Sequence, residues 1–133
     1  MKIIVDTSIW SLALRRKKQA GQCAEVRKLV ELISESRAQI IGPIRQEILS
    51  GIKSTTQFEA LCRQLEAFPD LLLESSDYEK AASFYNACRS RGVQGSNTDF
   101  LICAVSHGRR MPIFTNDSDF ERFQKIIHIK LYR

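Results

Sequence analysis

Carboxylates stand where predicted strands end and where a predicted helix begins, positions at which acidic side chains can do chemistry. Asp6 directly follows the apolar run 3–5, and Asp117 comes three residues after Phe114 of a later apolar run. Doubly wound folds bind their ligands beyond the carboxyl ends of parallel strands, so both side chains are expected there. Asp99 lies in the first turn of a predicted helix, where the helix dipole alone favours an anion. Sequence topology does not decide whether Asp99 reaches the same place.

A fourth carboxylate, Glu47, is expected on an inward helix face. The helix predicted over 43–50 carries Ile44 and Ile48 on its apolar side, and the spacing puts Glu47 on that stripe. An unpaired carboxylate is costly to bury, so this one requires a cation, a proton or a cavity.

Convergence of these four carboxylates would require a positive charge. Two carboxylates about 4 Å apart repel by roughly 4 kcal/mol at the effective dielectric of a protein surface. Mg²⁺ or Mn²⁺ relieves that repulsion, since hard cations prefer oxygen ligands and retain waters. Such an ion activates water and stabilises charge on a phosphoryl group. The net charge of +5 permits a polyanionic partner, so the pattern favours phosphodiester hydrolysis.

Structural interpretations of the same residues remain open at this stage. Asp6 and Asp117 are as well placed to cap the helices that follow them as to bind a ligand. Glu47 has Arg45 and Lys53 as possible ion-pair partners at the rim of its helix. Spacing alone does not separate these roles from catalytic ones.

Short apolar strands alternate with amphipathic helices along the chain. Strands are predicted at 3–5, 39–41, 71–73, 112–115 and 127–131, and helices at 8–14, 22–36, 43–50, 58–68, 76–91, from 97 onward and at 118–125. Ser76 and Glu79 form the predicted capping box of the helix at 76–91. The order predicts an α/β fold, a three-layer α/β/α sandwich with a mainly parallel central sheet, in one domain over 1–133.

Composition is that of an ordinary globular protein, with 44% hydrophobic and 26% charged residues. No apolar run approaches the roughly 20 residues of a membrane span, and the N-terminus lacks a signal-peptide pattern. A cytoplasmic protein is therefore expected. The four cysteines form no C-x-x-C pair, which favours core thiols over a metal or redox site.

Four stretches together resemble the PIN-domain family, and in particular the VapC-type ribonuclease toxins of toxin–antitoxin pairs. They are KIIVDTSIW at 2–10, PIRQEILSG at 43–51, GSNTDFLICAVS at 95–106 and IFTNDSDF at 113–120. The resemblance covers essentially the whole chain in the family's order. It implies a PIN-like sandwich in which Asp6, Glu47, Asp99 and Asp117 are the catalytic acids. Asp6, Asp99 and Asp117 would then bind Mg²⁺ or Mn²⁺.

The resemblance also implies supporting residues around that site. Thr7 or Ser8 and Thr115 would orient ligands or waters. Asn97 would help at the mouth of the site, and Asp119 stays an outer candidate because the pattern favours Asp117 over it. The implied reaction is attack of metal-activated water on an RNA phosphodiester. The implied partners are the RNA substrate, a second copy in a homodimer, and a small VapB-like antitoxin whose basic side chain enters the acidic site.

A run of basic residues follows the first predicted helix. Arg15, Arg16, Lys17 and Lys18 are candidates for contacts with RNA phosphates. A solvated turn is the favoured interpretation by roughly two to one.

Other functions are weaker interpretations of the same sequence. His107 and His128 suggest a metal-independent ribonuclease with two histidines as general acid and base, but nothing in the sequence places them together. A phosphoacceptor receiver would need paired early acids and a Lys after a late strand, which the stretches VDTS and FTND lack. A non-catalytic PIN-like module that binds RNA or protein is the remaining alternative; it would have no reason to keep four mutually repelling acids.

Overall fold

Three short parallel strands form the centre of the molecule. The computed structural model describes residues 1–15 and 23–133. Strands β1 (Ile3–Val5), β2 (Ala38–Gln39) and β3 (Ile113–Phe114) lie in the order β2-β1-β3. Ile3 stands opposite Ala38, and Val5 stands opposite Phe114. Because β1 is central and parallel to both neighbours, the residues that follow β1 and β3 emerge at one edge of the sheet.

Helices fill the chain between the strands. The described ranges contain α1 (Thr7–Leu14), α2 (Ala24–Ser34), α3 (Gly42–Leu49), α4 (Thr55–Leu65), α5 (Ser75–Arg89), α6 (Asn97–Arg109) and α7 (Asp119–Gln124). Among these helices, none has the length and apolar character of a membrane-spanning segment.

Both faces of the sheet are covered. Successive residues of a strand point to opposite faces, and Ile3, Ile4 and Val5 are all 0% exposed. Helix α1 contacts α2 and α3, and α3 contacts α4, whereas α5 packs along α6 and α6 contacts β3. The predicted three-layer α/β fold with a parallel sheet is therefore confirmed. Cys88 and Cys103 are fully buried thiols of this core.

Two of the predicted strands were wrong. The segment 71–73 contributes only the bridge between Asp70 and Ile40, after which Leu72 is 85% exposed. A strand buried on both faces would not leave that side chain in solvent. The segment 127–131 pairs with β3 only through the bridge between Leu131 and Ile113. An apolar run does not show whether a neighbouring strand is present. Each of these two segments forms a single bridge and no continuous ladder of hydrogen bonds.

The start of α5 also differs from the prediction. Its capping box joins Glu74 and Asp77, two residues earlier than the predicted pair Ser76 and Glu79. The N–H of Glu74 donates to Asp77 Oδ2 at 2.7 Å. Asp77 thereby satisfies an orphan donor at the helix N-terminus.

Asp77 also joins α5 to α6. Arg109 Nη1 donates to Asp77 Oδ1 at 2.6 Å, and Nη2 donates to Oδ2 at 2.9 Å. The Arg109 guanidinium holds the pKa of the Asp77 carboxyl below its ordinary value. Asp77 lies in the first turn of α5 and Arg109 at the end of α6, so the pair fixes two antiparallel helices at one end.

Replacing Arg109 by Met should lower the free energy of unfolding by about 2 kcal/mol, because it leaves the buried Asp77 carboxylate without its cation. Because the pKa of Asp77 is lowered, the stabilisation is present at neutral pH and is lost as the pH falls through that lowered pKa. Urea unfolding at pH 7 and below pH 4 measures both effects.

Arg133→Met is the matched control for this experiment. It removes an exposed ion pair with Glu121 and should cost less than about 1 kcal/mol. Equal losses for the two variants would contradict a special role for the Asp77–Arg109 pair.

Candidate active site

Strand β1 delivers Asp6 to the carboxyl edge of the sheet, where the side chain is 5% exposed. Ser8 Oγ and Thr115 Oγ1 both donate to Asp6 Oδ2, each at 2.8 Å. Asp6 occupies the N-cap position of α1, yet within this described turn its carboxylate makes no capping hydrogen bond. The side chain is thus oriented by two hydroxyls rather than by the helix that it precedes.

The same hydroxyls connect the ends of β1 and β3. The N–H of Asn116 donates to Ser8 Oγ at 3.0 Å, and the N–H of Asp117 donates to Thr115 Oγ1 at 3.0 Å. The loop after β3 is therefore positioned by side chains that also hold Asp6. Ser8 and Thr115 therefore both contact the acidic residue Asp6 directly.

Asp117 combines a local structural role with a place near the other acids. Its Oδ1 accepts the N–H of Asp119 at 2.9 Å, at the start of α7. The N-cap residue of α7 is Ser118, so this contact closes the turn before the helix, and Asp117 is not the helix cap that the sequence allowed. The Asp119 carboxylate pairs with Arg122 at 3.2 Å near the surface, so its own contribution to the site is through its backbone.

Helix α6 carries Asp99 at its third position. The N–H of Asp99 donates to Ser96 Oγ, and the N–H of Ser96 donates to Asp99 Oδ2, each at 3.1 Å. Sequence analysis missed Gly95, directly before this capping box. A Cβ there would lie 2.5 Å from the buried ring of Phe123, so only glycine lets the chain pass that close. A glycine next to a predicted N-cap was the available signal.

Burial and like charge raise the pKa of Asp99 to about 6. Removal from water is the largest cause, and the negative charges of Asp6 and Asp117 raise the pKa further. Hydrogen bonds from Ser96 oppose the rise. Since charge interactions weaken with distance, Asp6 and Asp117 lie near enough to Asp99 to disfavour its charge. These three residues are called the aspartate group below.

Asp6 responds to burial in the same direction. Desolvation raises its pKa, against the opposing effects of the hydrogen bonds from Thr115 and Ser8. The nearby N–H groups of Thr7 and Ser8 also lower it. The structure therefore supports the charge of Asp6 with donors but supplies no cation to it within the described ranges.

Glu47 is exposed, and the prediction that it faces inward was wrong. Ile44 and Ile48 are fully buried, but Glu47 lies about 60° from the first and about 100° from the second around the helix, at the edge of their stripe. Its Oε1 accepts a hydrogen bond from Thr7 Oγ1 at 2.7 Å. Thr7 follows Asp6 directly, so Glu47 borders the aspartate group. The alternative partner Arg45 instead pairs with Asp70.

The remaining predicted residues lie around or beyond this group. Asn97 is exposed at the first position of α6 and lines a neighbouring groove. Arg15 is exposed after α1. Arg16, Lys17 and Lys18 lie outside the described residues.

The two histidines of the rival mechanism do meet, contrary to the sequence-based expectation. His107 and His128 line one cavity of about 470 Å³, together with Met1 and Pro112, which precede β1 and β3. The cavity therefore lies at the amino edge of the sheet, away from the aspartates. His107 Nδ1 is 3.0 Å from the backbone oxygen of His128, so this contact does not pair the two rings as acid and base.

The side chains of the aspartate group supply oxygen donors of the kind that a hard metal ion binds. As the side chains stand, no three or more His, Cys, Asp or Glu residues in the described ranges form a ready-made cage. The chemistry of the group nevertheless fits a hard divalent ion: the donors are carboxylate oxygens, they are partly desolvated, and their repulsion raises the pKa of Asp99.

Residues 3–126 match the sequence model of the PIN domain. The chain belongs to the PIN domain family. This match confirms the family expected from the four sequence stretches, and the matched region covers nearly the whole chain. The comparison with curated proteins found no match.

Solved structures with the same fold come from toxin–antitoxin complexes. A chain of DNA-bound VapBC2 from Rickettsia felis aligns with a TM-score of 0.77 at 16% identity, over 99% of this chain and 98% of that one. DNA-bound VapBC from Salmonella typhimurium gives 0.77 at 18% identity, over 99% and 97%. VapBC-5 from Mycobacterium tuberculosis gives 0.71 at 17% identity, over 99% and 98%. These similarities establish the fold of the chain, and it is the fold expected for a PIN domain.

Asp99→Asn should raise the free energy of unfolding by about 1–2 kcal/mol at pH 7.5 in EDTA. A shift of one pKa unit corresponds to about 1.4 kcal/mol, reduced here because Asp99 is only partly buried. The amide oxygen can still accept the Ser96 N–H. Because the pKa of Asp99 is raised, its penalty develops between pH 4 and pH 6 and disappears below that range.

Urea unfolding at pH 4 and pH 7.5 tests this expectation, with Asp119→Asn as the control that removes an exposed carboxylate. A loss of stability in Asp99→Asn at both pH values would show that Asp99 is only a structural cap.

Proposed function

We propose that this PIN domain is a divalent-metal-dependent endoribonuclease and acts as the toxin of a toxin–antitoxin pair. The observation that carries the proposal is the raised pKa of the partly buried Asp99, to which burial and then the negative charges of Asp6 and Asp117 contribute. Folding places like charges together there at a cost, and a bound cation would offset that cost.

Asp6, Asp99 and Asp117 would hold Mg²⁺ or Mn²⁺ through their carboxylate oxygens. Such an ion supplies an activated water and stabilises the negative charge that develops on a phosphoryl group. Ser8 and Thr115 both donate to Oδ2 of Asp6, which orients the carboxylate, and Oδ1 is the oxygen that would bind the ion. The loss of either hydroxyl would let the carboxylate rotate.

Glu47 would act on the side of the site that faces solvent. Thr7 holds its Oε1, and the side chain is exposed, so the carboxylate is accessible to a water molecule and to RNA. Orienting that water towards the phosphodiester is the role that its position supports. The proposal counts Glu47 with the three aspartates as a catalytic acid.

RNA fits the charge balance of the chain, which is +5 despite the acidic site. Arg15, Arg16, Lys17 and Lys18 follow the helix that begins beside Asp6, and they are proposed contacts for the RNA backbone.

The proposed protein partners follow from the solved structures of the same fold. Those structures are VapBC complexes, so a small VapB-like antitoxin is the proposed inhibitor, with a basic side chain entering the aspartate group. A homodimer working in the cytoplasm, away from membranes, completes the proposal.

Purified protein should cleave structured RNA with Mg²⁺ or Mn²⁺ and should stop when EDTA is added. Asp6→Asn and Asp99→Asn should each reduce the cleavage rate by at least about 100-fold, because each removes an oxygen ligand and a charge from the site. Gel analysis of end-labelled RNA measures the rate. Glu59→Gln, which removes an exposed carboxylate from α4, should cleave as the wild type does. Cleavage that persists in EDTA or in both Asn variants would contradict the metal-dependent mechanism.

Expression of the wild-type chain alone should arrest bacterial growth within an hour of induction, whereas Asp99→Asn should not. The difference is expected because toxicity depends on cutting RNA, and the Asn variant keeps the capping acceptor of α6. Viable counts after induction measure the effect, with immunoblots to verify equal protein levels. Unchanged growth at high wild-type levels would contradict the toxin assignment while leaving nuclease activity to be judged by the cleavage assay.

A further inference from the structure

The cavity of about 470 Å³ at the amino edge of the sheet is a second concave site, named here the amino-edge cavity. It lies at the end of α6, at the opposite edge of the sheet from the aspartate group. Among the described residues that line it none is acidic, and the basic ones are His107, Arg110, His128 and Lys130. The charge of this lining favours an anionic ligand.

Two separate segments bring these basic side chains together. His107 lies in the last turn of α6, and Arg110 is the C-cap of that helix. Buried and exposed residues alternate along 127–130, so His128 and Lys130 lie on the outward side while Ile129 between them is buried. The Lys130 carbonyl accepts a backbone N–H of β3 at 2.8 Å, which fixes this segment beside the sheet. The basic groups are therefore gathered by the fold and not by one run of sequence.

The helix dipole accounts for only half of this arrangement. The partial negative charge at the C-terminus of a helix stabilises nearby cations, so His107 and Arg110 suit the end of α6 without any ligand. His128 and Lys130 belong to the other segment and are not needed for that role. Their presence in the same concavity is the observation that points to a bound anion.

The ring of His107 is held in one orientation. Its Nδ1 lies 3.0 Å from the backbone oxygen of His128, and Phe84 packs against the ring edge-on with centroids 5.6 Å apart. A carbonyl oxygen only accepts hydrogen bonds, so Nδ1 carries a proton and Nε2 is left for another partner. In the charged ring Nε2 is a donor as well. His107 is therefore positioned to donate to an anion in the cavity that it lines.

Apolar side chains form another part of the lining. Met111, Pro112 and Ile129 contribute them, and Ile129 is buried. Small-ligand sites usually have volumes of about 300–1,000 Å³ and combine apolar surface with a few polar groups that orient the ligand. The amino-edge cavity therefore suits a ligand with an apolar body and an anionic end.

We propose that the amino-edge cavity binds a nucleotide through its terminal phosphate, supplied by a free mononucleotide or by the phosphorylated 5′ end of an RNA. Arg110 and Lys130 would contact the phosphate, and His107 would donate to it from Nε2. The sugar and base would lie over Met111 and Pro112. The site requires neither a metal ion nor cleavage, so it does not depend on the proposed ribonuclease function.

A terminal phosphate fits this lining better than an acidic peptide does. A phosphate monoester concentrates about −1.5 to −2 charges on three oxygens at neutral pH. Each carboxylate of a peptide carries a single charge, and successive carboxylates are spread along the chain. Cationic groups that meet around one concavity match the concentrated charge.

Nuclear magnetic resonance can observe this cavity selectively, because the chain has two histidines and both line it. Adenosine 5′-monophosphate (AMP), added in EDTA, should shift the ring proton signals of His107 and His128. Adenosine at the same concentration should shift them much less, because it lacks the phosphate. The concentration dependence of the shifts gives the affinity for AMP.

The double variant with Arg110→Asn and Lys130→Gln should weaken AMP binding by at least about tenfold, since it removes two charge-assisted hydrogen bonds. Asparagine suits position 110 because the backbone there has a φ of 54°, in the left-handed region. The control double variant, Lys28→Gln with Arg63→Gln, removes the same charge from exposed positions of α2 and α4. It should bind AMP as the wild type does, and urea unfolding verifies that both double variants fold.

A short RNA with a 5′-phosphate and its dephosphorylated copy distinguish the two sources of the phosphate. Shifts caused by AMP would identify the free nucleotide as a sufficient ligand. Shifts caused by the phosphorylated RNA, but by neither AMP nor the dephosphorylated copy, would assign the phosphate to an RNA end. Either result supports the cavity even if the wild type cuts no RNA, which would refute only the nuclease.

Four results would overturn the proposal. The first is unshifted histidine signals with both AMP and the phosphorylated RNA. The second is equal AMP affinity in the wild type and the Arg110 and Lys130 double variant, which would leave those cations only their role at the end of α6. The third is equal shifts with the phosphorylated and dephosphorylated RNAs in the absence of AMP binding. The fourth is a response to a hexaglutamate peptide but to no phosphate, since the cavity would then bind an acidic protein segment.

Discussion

The gathering of like charges at one edge of the sheet is the constraint to which the surrounding structure responds. Asp6, Asp99 and Asp117 reach the group from a strand end, a helix start and a loop, and burial raises the pKa of the first two. No single local motif would assemble them. The parallel order β2-β1-β3 does so, because it brings the chain out at the same edge after β1 and after β3.

Hydroxyl groups join the ends of β1 and β3 at that edge without neutralising the Asp6 carboxylate. Ser8 and Thr115 donate to Asp6, and they also accept N–H groups from the loop after β3. A lysine or arginine in their place would satisfy the carboxylate permanently. Hydroxyls orient it, lower its pKa only in part, and leave its charge available to a ligand. This explains why hydroxyl residues follow both strands in the sequences DTS and FTND.

Sequence reasoning succeeded where a local rule and the tertiary fold agree. The β-branched run before Asp6 and the start of a helix at Asn97 are both local signals, and the strand and the helix lie where they were predicted. It failed where the answer depends on neighbours distant in sequence. Glu47 lies at the edge of its helical stripe, and its hydrogen-bond partner Thr7 is on another helix, 40 residues away in sequence. Whether 127–131 continues a ladder depends on register against β3, which an apolar pattern does not contain.

Helix α6 begins beside the acids, and its position is fixed at both ends. At its C-terminus Arg109 is tied to Asp77 of α5, and before its N-terminus Gly95 lies against Phe123. Between these fixed points, seven consecutive residues of α6, 100–106, are buried. A helix held in this way cannot rotate to relieve the repulsion on Asp99 without breaking an ion pair or the core. The like charges of Asp6 and Asp117 therefore continue to act on Asp99 in the folded protein, and the cation of the proposed function would offset them.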